Sequence, residues 1–202
     1  ANSFNIIDGL NGFCGIFGLI IACVLGYICN IYGEQNLCYL CFIIAFSIVP
    51  FLLFNFPFGL VFLGDAGAYT LGHILSWIAL ILAMRHPEIS AWSMLLLFLW
   101  PTTETLLSIY RRIISKRSYD EPDKLHCHHL VAKLLQLSNN DGSFVFRQAN
   151  PLATTILLPF ALMPALLVFF LSPTFLFSMI IYVVLTIIFI FSYGFIKRKI
   201  IA

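Results

Sequence analysis

Residues 174–195 read TFLFSMIIYVVLTIIFIFSYGF, 22 consecutive positions with no charged side chain. A helix of that length rises about 33 Å at 1.5 Å per residue, enough to cross the hydrocarbon core of a bilayer. The run lacks the two-residue alternation of a membrane β-strand, and lipid offers no partner to an open backbone amide. The stretch is therefore predicted to be a transmembrane helix. Working back toward the N-terminus, comparable apolar runs fall at 12–32, 38–56, 68–84, 92–110 and 151–171. The expectation is an all-α, polytopic transmembrane helix bundle of about six spans, with residues 1–202 forming a single domain.

The whole composition agrees. Of 202 residues, 61% are hydrophobic and 10% are charged, with 21 phenylalanines and a mean hydropathy of +0.98. A soluble domain of this size needs more polar surface. A net charge of +2 gives no reason to expect a nucleic-acid partner. Of the six cysteines, Cys14, Cys23, Cys29, Cys38 and Cys41 lie in or beside apolar runs, leaving Cys127. Cys38-Tyr-Leu-Cys41 has redox-motif spacing but no strand–helix unit around it. These thiols are read as small apolar residues of membrane helices. The chain opens at Ala1 on polar residues, with no Met and no signal-peptide pattern, and is expected to be the C-terminal part of a longer protein.

Charge distribution orients the spans. The stretch after the fourth run carries Arg111, Arg112, Lys116, Arg117, Lys124, Lys133 and Arg147, and the tail carries Lys197, Arg198 and Lys199, leaving only Arg85 for the opposite side. That bias places the long loop near 111–150, the tail, the N-terminal segment and the loop around Asp65 in the cytoplasm. Three polar islands then share one face. The first is Asn2-Ser-Phe-Asn5-Ile-Ile-Asp8-Gly9-Leu-Asn11-Gly12, the second Gly64-Asp65-Ala-Gly67, and the third Pro122-Asp123-Lys124-Leu-His126-Cys127-His128-His129.

Each island has two readings. In the first, a helical turn would put Asn5 and Asp8 on one face, able to hold a hydrated cation or a phosphate-bearing ligand; a solvated loop with turn residues is the alternative. In the second, Asp65 is a hard oxygen ligand beside permissive glycines, or part of a tight turn between spans. In the third, a loop entering a short helix carries three histidines. The basic residues Lys124, Arg111, Arg112 and Arg117 suit phosphate binding better than a closed zinc site. Glu104, inside the fourth run and just after Pro101, is an ionisable group at membrane depth. It either faces a polar cavity or caps a half-helix, or makes a structural hydrogen bond. His73 is expected to be an interhelical hydrogen bonder.

Together these motifs resemble the polyprenyl-phosphate N-acetylhexosamine-1-phosphate transferase family (glycosyltransferase family 4). The first island is similar to its N-x-x-N-x-x-D-G-x-x-G. Residues Pro57-Phe-Gly59-Leu-Val-Phe-Leu-Gly64-Asp65-Ala-Gly67 are similar to its P-x-x-x-x-x-x-G-D-x-G, and His126-Cys127-His128-His129 to its H-x-H-H. The resemblance implies transfer of an N-acetylhexosamine 1-phosphate, N-acetylglucosamine 1-phosphate foremost, from a UDP-N-acetylhexosamine to a polyprenyl (undecaprenyl) phosphate lipid, with release of UMP. It implies a multi-pass protein of the inner (cytoplasmic) membrane whose active site faces the cytoplasm. It further implies Asp8, Asp65 and His128 as catalytic residues, Asp65 and Asp8 as ligands of Mg²⁺ (or Mn²⁺), and Asn2, Asn5, Gly64, His126, His129, Arg111 and Arg112 as substrate-binding residues. A homodimer is left open. The family's paired aspartates of an earlier loop are absent from the chain. An inactive membrane scaffold and a transporter are the competing classes; a transporter would carry internal repeats with matching broken helices, and none is visible.

Overall fold

The computed structural model describes residues 2–115, 125–137, 146–171 and 174–201. All regular structure among them is helical: α1 (Asn2–Ile7), α2 (Phe13–Ile31), α3 (Gln35–Asn55), α4 (Gly64–Arg85), α5 (Ala91–Leu97), α6 (Leu99–Ser115), α7 (Cys127–Leu137), α8 (Phe146–Leu171) and α9 (Phe175–Ile201). Five stretches are long and apolar enough to cross a membrane as single helices, within α2, α3, α4, α8 and α9. The chain is an all-α, multi-pass membrane protein.

The remaining expected span, 92–110, differs from the sequence reading. It is broken at Phe98 (φ −106°, ψ 17°) into α5 and α6. The cause lies three residues on: Pro101 has no N–H to give the Leu97 carbonyl, and its ring crowds that group. Thr102 repairs the break, its hydroxyl donating to the carbonyls of Phe98 (2.7 Å) and Leu99 (3.1 Å).

α2 is the central helix, packed against α3, α4 and α8. Gly18 sets its distance to α4: a Cβ there would lie 2.5 Å from Leu71 Cδ2. Close backbone approach of this kind is how membrane helices gain dispersion contacts, since apolar burial by itself drives nothing in lipid. The outer surfaces of α3 and α9 are large and apolar, with Phe46 and Phe191 about three-quarters exposed at 74% and 76%. At the end of the bundle that bears α1, an aromatic cluster joins four elements. Phe4 packs on Phe17 and Phe98, Phe13 on Trp100, and Trp100 edge-on against Phe189 at 4.8 Å.

The cysteine reading agrees with the structure: all six thiols are free, and all but Cys23 are buried. His73 does not behave as expected. It is exposed on α4, and its ring sits edge-on to Trp77 at 6.0 Å, because its helix face meets no neighbouring polar group among the described residues. Lys116, Arg117, Pro122, Asp123 and Lys124 lie outside the described residues.

Candidate functional site

The turn between α1 and α2 is the foundation. A turn at a bundle end leaves backbone groups open, and here three side chains close them. Asn55 Oδ1 accepts from the Gly12 N–H (2.5 Å), while its amide donates to the Val61 carbonyl (2.6 Å), fixing the 57–63 loop. Asn150 Oδ1 accepts from the Asn11 N–H (2.6 Å), and the Thr154 hydroxyl donates to the Asn11 carbonyl (2.7 Å). The Asn11 amide donates to the Pro57 carbonyl (2.9 Å). The first and second polar islands are therefore locked to one another and to the start of α8.

That lock brings two carboxylates together. Asp65 occupies the first turn of α4, where the helix dipole favours an anion. Its Oδ1 accepts from the Asn5 amide at 2.6 Å. Asp8 Oδ2 accepts from the Gly64 N–H at 3.1 Å. Asn2 Oδ1 accepts from the Tyr69 hydroxyl at 3.2 Å. Burial, and then the neighbouring Asp65 charge, push the Asp8 carboxyl up to about 6, against the lowering effect of the Gly64 N–H.

α7 brings the histidines over this turn. A Cβ at Gly9 would lie 2.6 Å from His129 Cε1 and 2.7 Å from His128 Nε2, so only glycine lets the rings sit on the turn. His126 and His128 stack at 5.6 Å with planes 4° apart, and His128 and His129 approach to 4.3 Å. His128 is fully buried, lying on Phe13 as well. Neither of its ring nitrogens has a hydrogen-bond partner among the described residues. Burial and the two neighbouring imidazoles hold its pKa well below the usual histidine range, so the ring is neutral.

Below α7, Glu104 of α6 is fully buried. Its carboxylate accepts from the Cys127 N–H (3.1 and 3.2 Å) and from His126 Nδ1 (3.1 Å), with Arg111 Nη2 at 4.0 Å. The Arg111 guanidinium also lies over the Tyr193 ring at 5.2 Å. Burial, and then the Glu104 charge, raise the Cys127 thiol well above its ordinary range, so it is not a nucleophile.

These elements enclose a cavity of about 650 Å³ lined by Asn2, Asn5, Ile6, Asp8, Gly9, Thr105, Ser108, Ile109, Arg112, His126 and His129. Of the residues expected from sequence, Asn2, Asn5, Asp8, Arg112, His126 and His129 line it directly. Asp65 and Gly64 join it through Asn5 and Asp8. His128 and Arg111 stand behind the wall. The first island is helical up to Ile7, as its spacing suggested, and the third is a short approach into a helix. Thr105 and Ser108 lie one turn apart on the polar face of α6 and were passed over, although a hydroxyl pair beside Glu104 in an apolar run was a visible signal. Asn55 and Asn150 carried no local pattern at all.

The donor set fits a hard cation. Asp8 and Asp65 offer carboxylate oxygens on adjoining positions, and Asn5 an amide between them. No group of three or more His, Cys, Asp or Glu side chains placed to hold a metal ion occurs among the described residues. Mg²⁺ characteristically takes one or two carboxylates and completes its shell with water and ligand phosphates.

Residues 1–83, which hold the carboxylate half of this site, match the model of Glycosyl transferase family 4. The match to that family covers this N-terminal part of the chain. The undecaprenyl-phosphate alpha-N-acetylglucosaminyl 1-phosphate transferase of Escherichia coli (strain K12) is 30% identical over 161 residues, 76% of this chain and 41% of the relative. The protein of the same name from Yersinia pestis gives the same figures. That from Thermotoga maritima is 31% identical over 132 residues, 65% of this chain and 39% of the relative. The chain thus spans about two fifths of the length of these relatives. No solved structure matches it.

Proposed function

We propose that the chain carries a large part of the active site of a sugar-phosphate transferase, which moves N-acetylhexosamine 1-phosphate from a UDP-sugar to a polyprenyl phosphate and releases UMP. One observation carries this reading: a carboxylate–carboxamide group (Asp8, Asn5) and a cationic, imidazole-bearing group (Arg112, His126, His129) line a single cavity. A diphosphate held between a metal-binding pair and a basic wall is the arrangement phosphoryl transfer needs, because positioning and charge neutralisation supply most of the rate.

In this reading an oxygen of the acceptor phosphate attacks the sugar-linked phosphorus. The bond from that phosphorus to the bridging oxygen breaks, and UMP leaves with the electron pair. Asp8 and Asp65 would hold Mg²⁺, which would supply charge neutralisation for the diphosphate. Arg112 and His129 bind phosphate oxygens opposite it. Asn2 and Asn5 orient the donor, and neutral His128 keeps the histidine wall rigid. A second, apolar cavity of about 300 Å³, lined by Phe4, Ala79, Leu80, Met94, Leu95 and Phe98, lies beside α1 and suits the first isoprene units of the acceptor. The basic bias of the sequence puts this end of the bundle at the cytoplasmic face of the inner membrane.

The test uses the full-length protein in detergent, UDP-N-acetylglucosamine labelled in the sugar, a panel of related UDP-N-acetylhexosamines, and undecaprenyl phosphate. Equal amounts of UMP and of a lipid bearing sugar joined through diphosphate are expected with at least one donor. Release of UDP instead of UMP, or no lipid product from any donor, would overturn the reading. Orientation is tested by a single cysteine at Ala202: labelling by an impermeant reagent in intact cells contradicts the cytoplasmic placement.

A further inference from the structure

We infer that Glu104 is a positioning residue, which fixes His126 in one tautomer and holds the N-terminus of α7 so that the Nε2 edge of His126 is the edge presented to the cavity. The inference rests on the transferase reading for its consequence in activity but not for its structural content.

Three contacts meet at this carboxylate. It accepts from the Cys127 N–H and from His126 Nδ1, and the Arg111 guanidinium stands at ion-pair distance, with Nη2 at 4.0 Å. An ionised carboxylate has no proton to give, so His126 Nδ1 carries the hydrogen of the 3.1 Å contact. His126 lines the cavity, and with Nδ1 committed to Glu104 its remaining nitrogen, Nε2, is the only one able to meet a ligand. The ring cannot swing away. It is stacked on His128 with planes 4° apart, and His128 is itself immobilised against Phe13.

The same carboxylate caps α7. The Cys127 N–H is one of the open donors of that helix's first turn, and the negative charge sits at the positive end of the helix dipole. One side chain of α6 therefore sets both the direction of the helix that bears His128 and His129 and the presented edge of His126. The charge of Glu104 is itself answered inside the protein, by Arg111 and the helix end. It does not need to repel an anionic ligand from the cavity.

The experiment uses the full-length protein in detergent as wild type, E104Q, E104L, H126A and E104L/H126A. Each is read by melting temperature, by kcat and KM for the UDP-sugar, and by imidazole ¹⁵N shifts, with His126 assigned as the signals lost in H126A. In the wild type His126 Nδ1 is expected to carry a proton. In E104L the neutral ring is expected to move to the Nε2–H form. E104L should lower kcat/KM for the donor about 10- to 100-fold, and E104Q, which retains an acceptor oxygen, less. In the H126A background E104L should cost clearly less than it does alone, because the route through His126 is already gone and only the hold on α7 remains. A wild-type spectrum with the proton on Nε2 alone overturns the inference even if E104L does not fold. An E104L loss that multiplies in full on top of H126A also overturns it, since Glu104 would then act by another path. If the wild type turns over no UDP-sugar, the transferase reading fails, while the tautomer measurement still decides the inference.

Discussion

Glu34 at one end of the bundle and the Asp8–Asp65 pair at the other are held in opposite ways. Where the α2–α3 connection meets the C-terminus of α4, Glu34 accepts from Arg85 at 2.7 Å and from His86 Nε2 at 3.2 Å, and His86 Nδ1 faces Glu88 at 3.7 Å. There the Glu34 carboxylate has the Arg85 guanidinium beside it. At the α1 end, Asp8 and Asp65 are held by neutral donors, the Gly64 N–H and the Asn5 amide. Neither forms an ion pair among the described residues. Opposite charges answering each other make a fastening. Like charges aimed at one space by dipoles repel, and in the proposed function an arriving cation would relieve that repulsion.

The comparison breaks most visibly at Asp65. Asp65→Asn keeps the hydrogen bond to Asn5 and removes one charge, and UMP release by the full-length protein is expected to fall on the order of 100-fold or more. Near-normal turnover would put Asp65 on the same footing as Glu34. Gly9→Ala comes next. Its methyl group meets two histidine rings, of which His128 has nowhere to go. Activity should fall about 10-fold and stability by about 1–3 kcal/mol, read by donor kinetics and thermal unfolding. An unchanged enzyme would show that α7 rides loosely on the turn.

Asp8 sharpens the comparison through pH. Its carboxyl is raised from 3.8 to about 6 in the fold, so between those values the folded state holds a proton that the unfolded chain has released. The stability this group contributes is present below about pH 4 and is lost as pH rises through about 6. Asp8→Asn should therefore stabilise the fold at pH 7.5, by on the order of 1 kcal/mol once partial solvent exposure is discounted, read as a higher melting temperature, and leave it unchanged at pH 4. Activity should fall at both. A variant no more stable than wild type at pH 7.5 would mean that Asp8 is already balanced. The smallest effect belongs to Glu34→Gln, which cuts a partly exposed ion pair: less than about 1 kcal/mol in thermal unfolding and no change in donor kcat/KM.

Much of this contrast was legible in the sequence. The apolar runs announced the helices because lipid imposes a length and forbids open backbone. Asn5 and Asp8 were readable from their three-residue spacing, and Asp65 from its setting between glycines. Residues acting across long distances were not. Asn55 and Asn150 serve the site by closing backbone groups 43 and 139 residues away, and no local pattern encodes that. The buried position of His128 was equally hidden: its neighbours in sequence, His126 and His129, line the cavity, and only the tilt of α7 puts the middle ring behind them. Pro101 did flag a disturbance in the fourth run, but that the break would fall at Phe98 depended on the crowded carbonyl upstream.

The bonds from Asn11 to Asn150 and Thr154 close over 139 and 143 residues of chain. A ribosome adding about 5–20 residues per second needs roughly 7–30 s to make that stretch. The α2–α3 hairpin, whose contacts are local, is complete early in that interval. The turn carrying Asp8 waits in the membrane without its partners, and the histidines of α7 do not yet exist. A nascent chain is thus committed to the bilayer well before the cavity is complete.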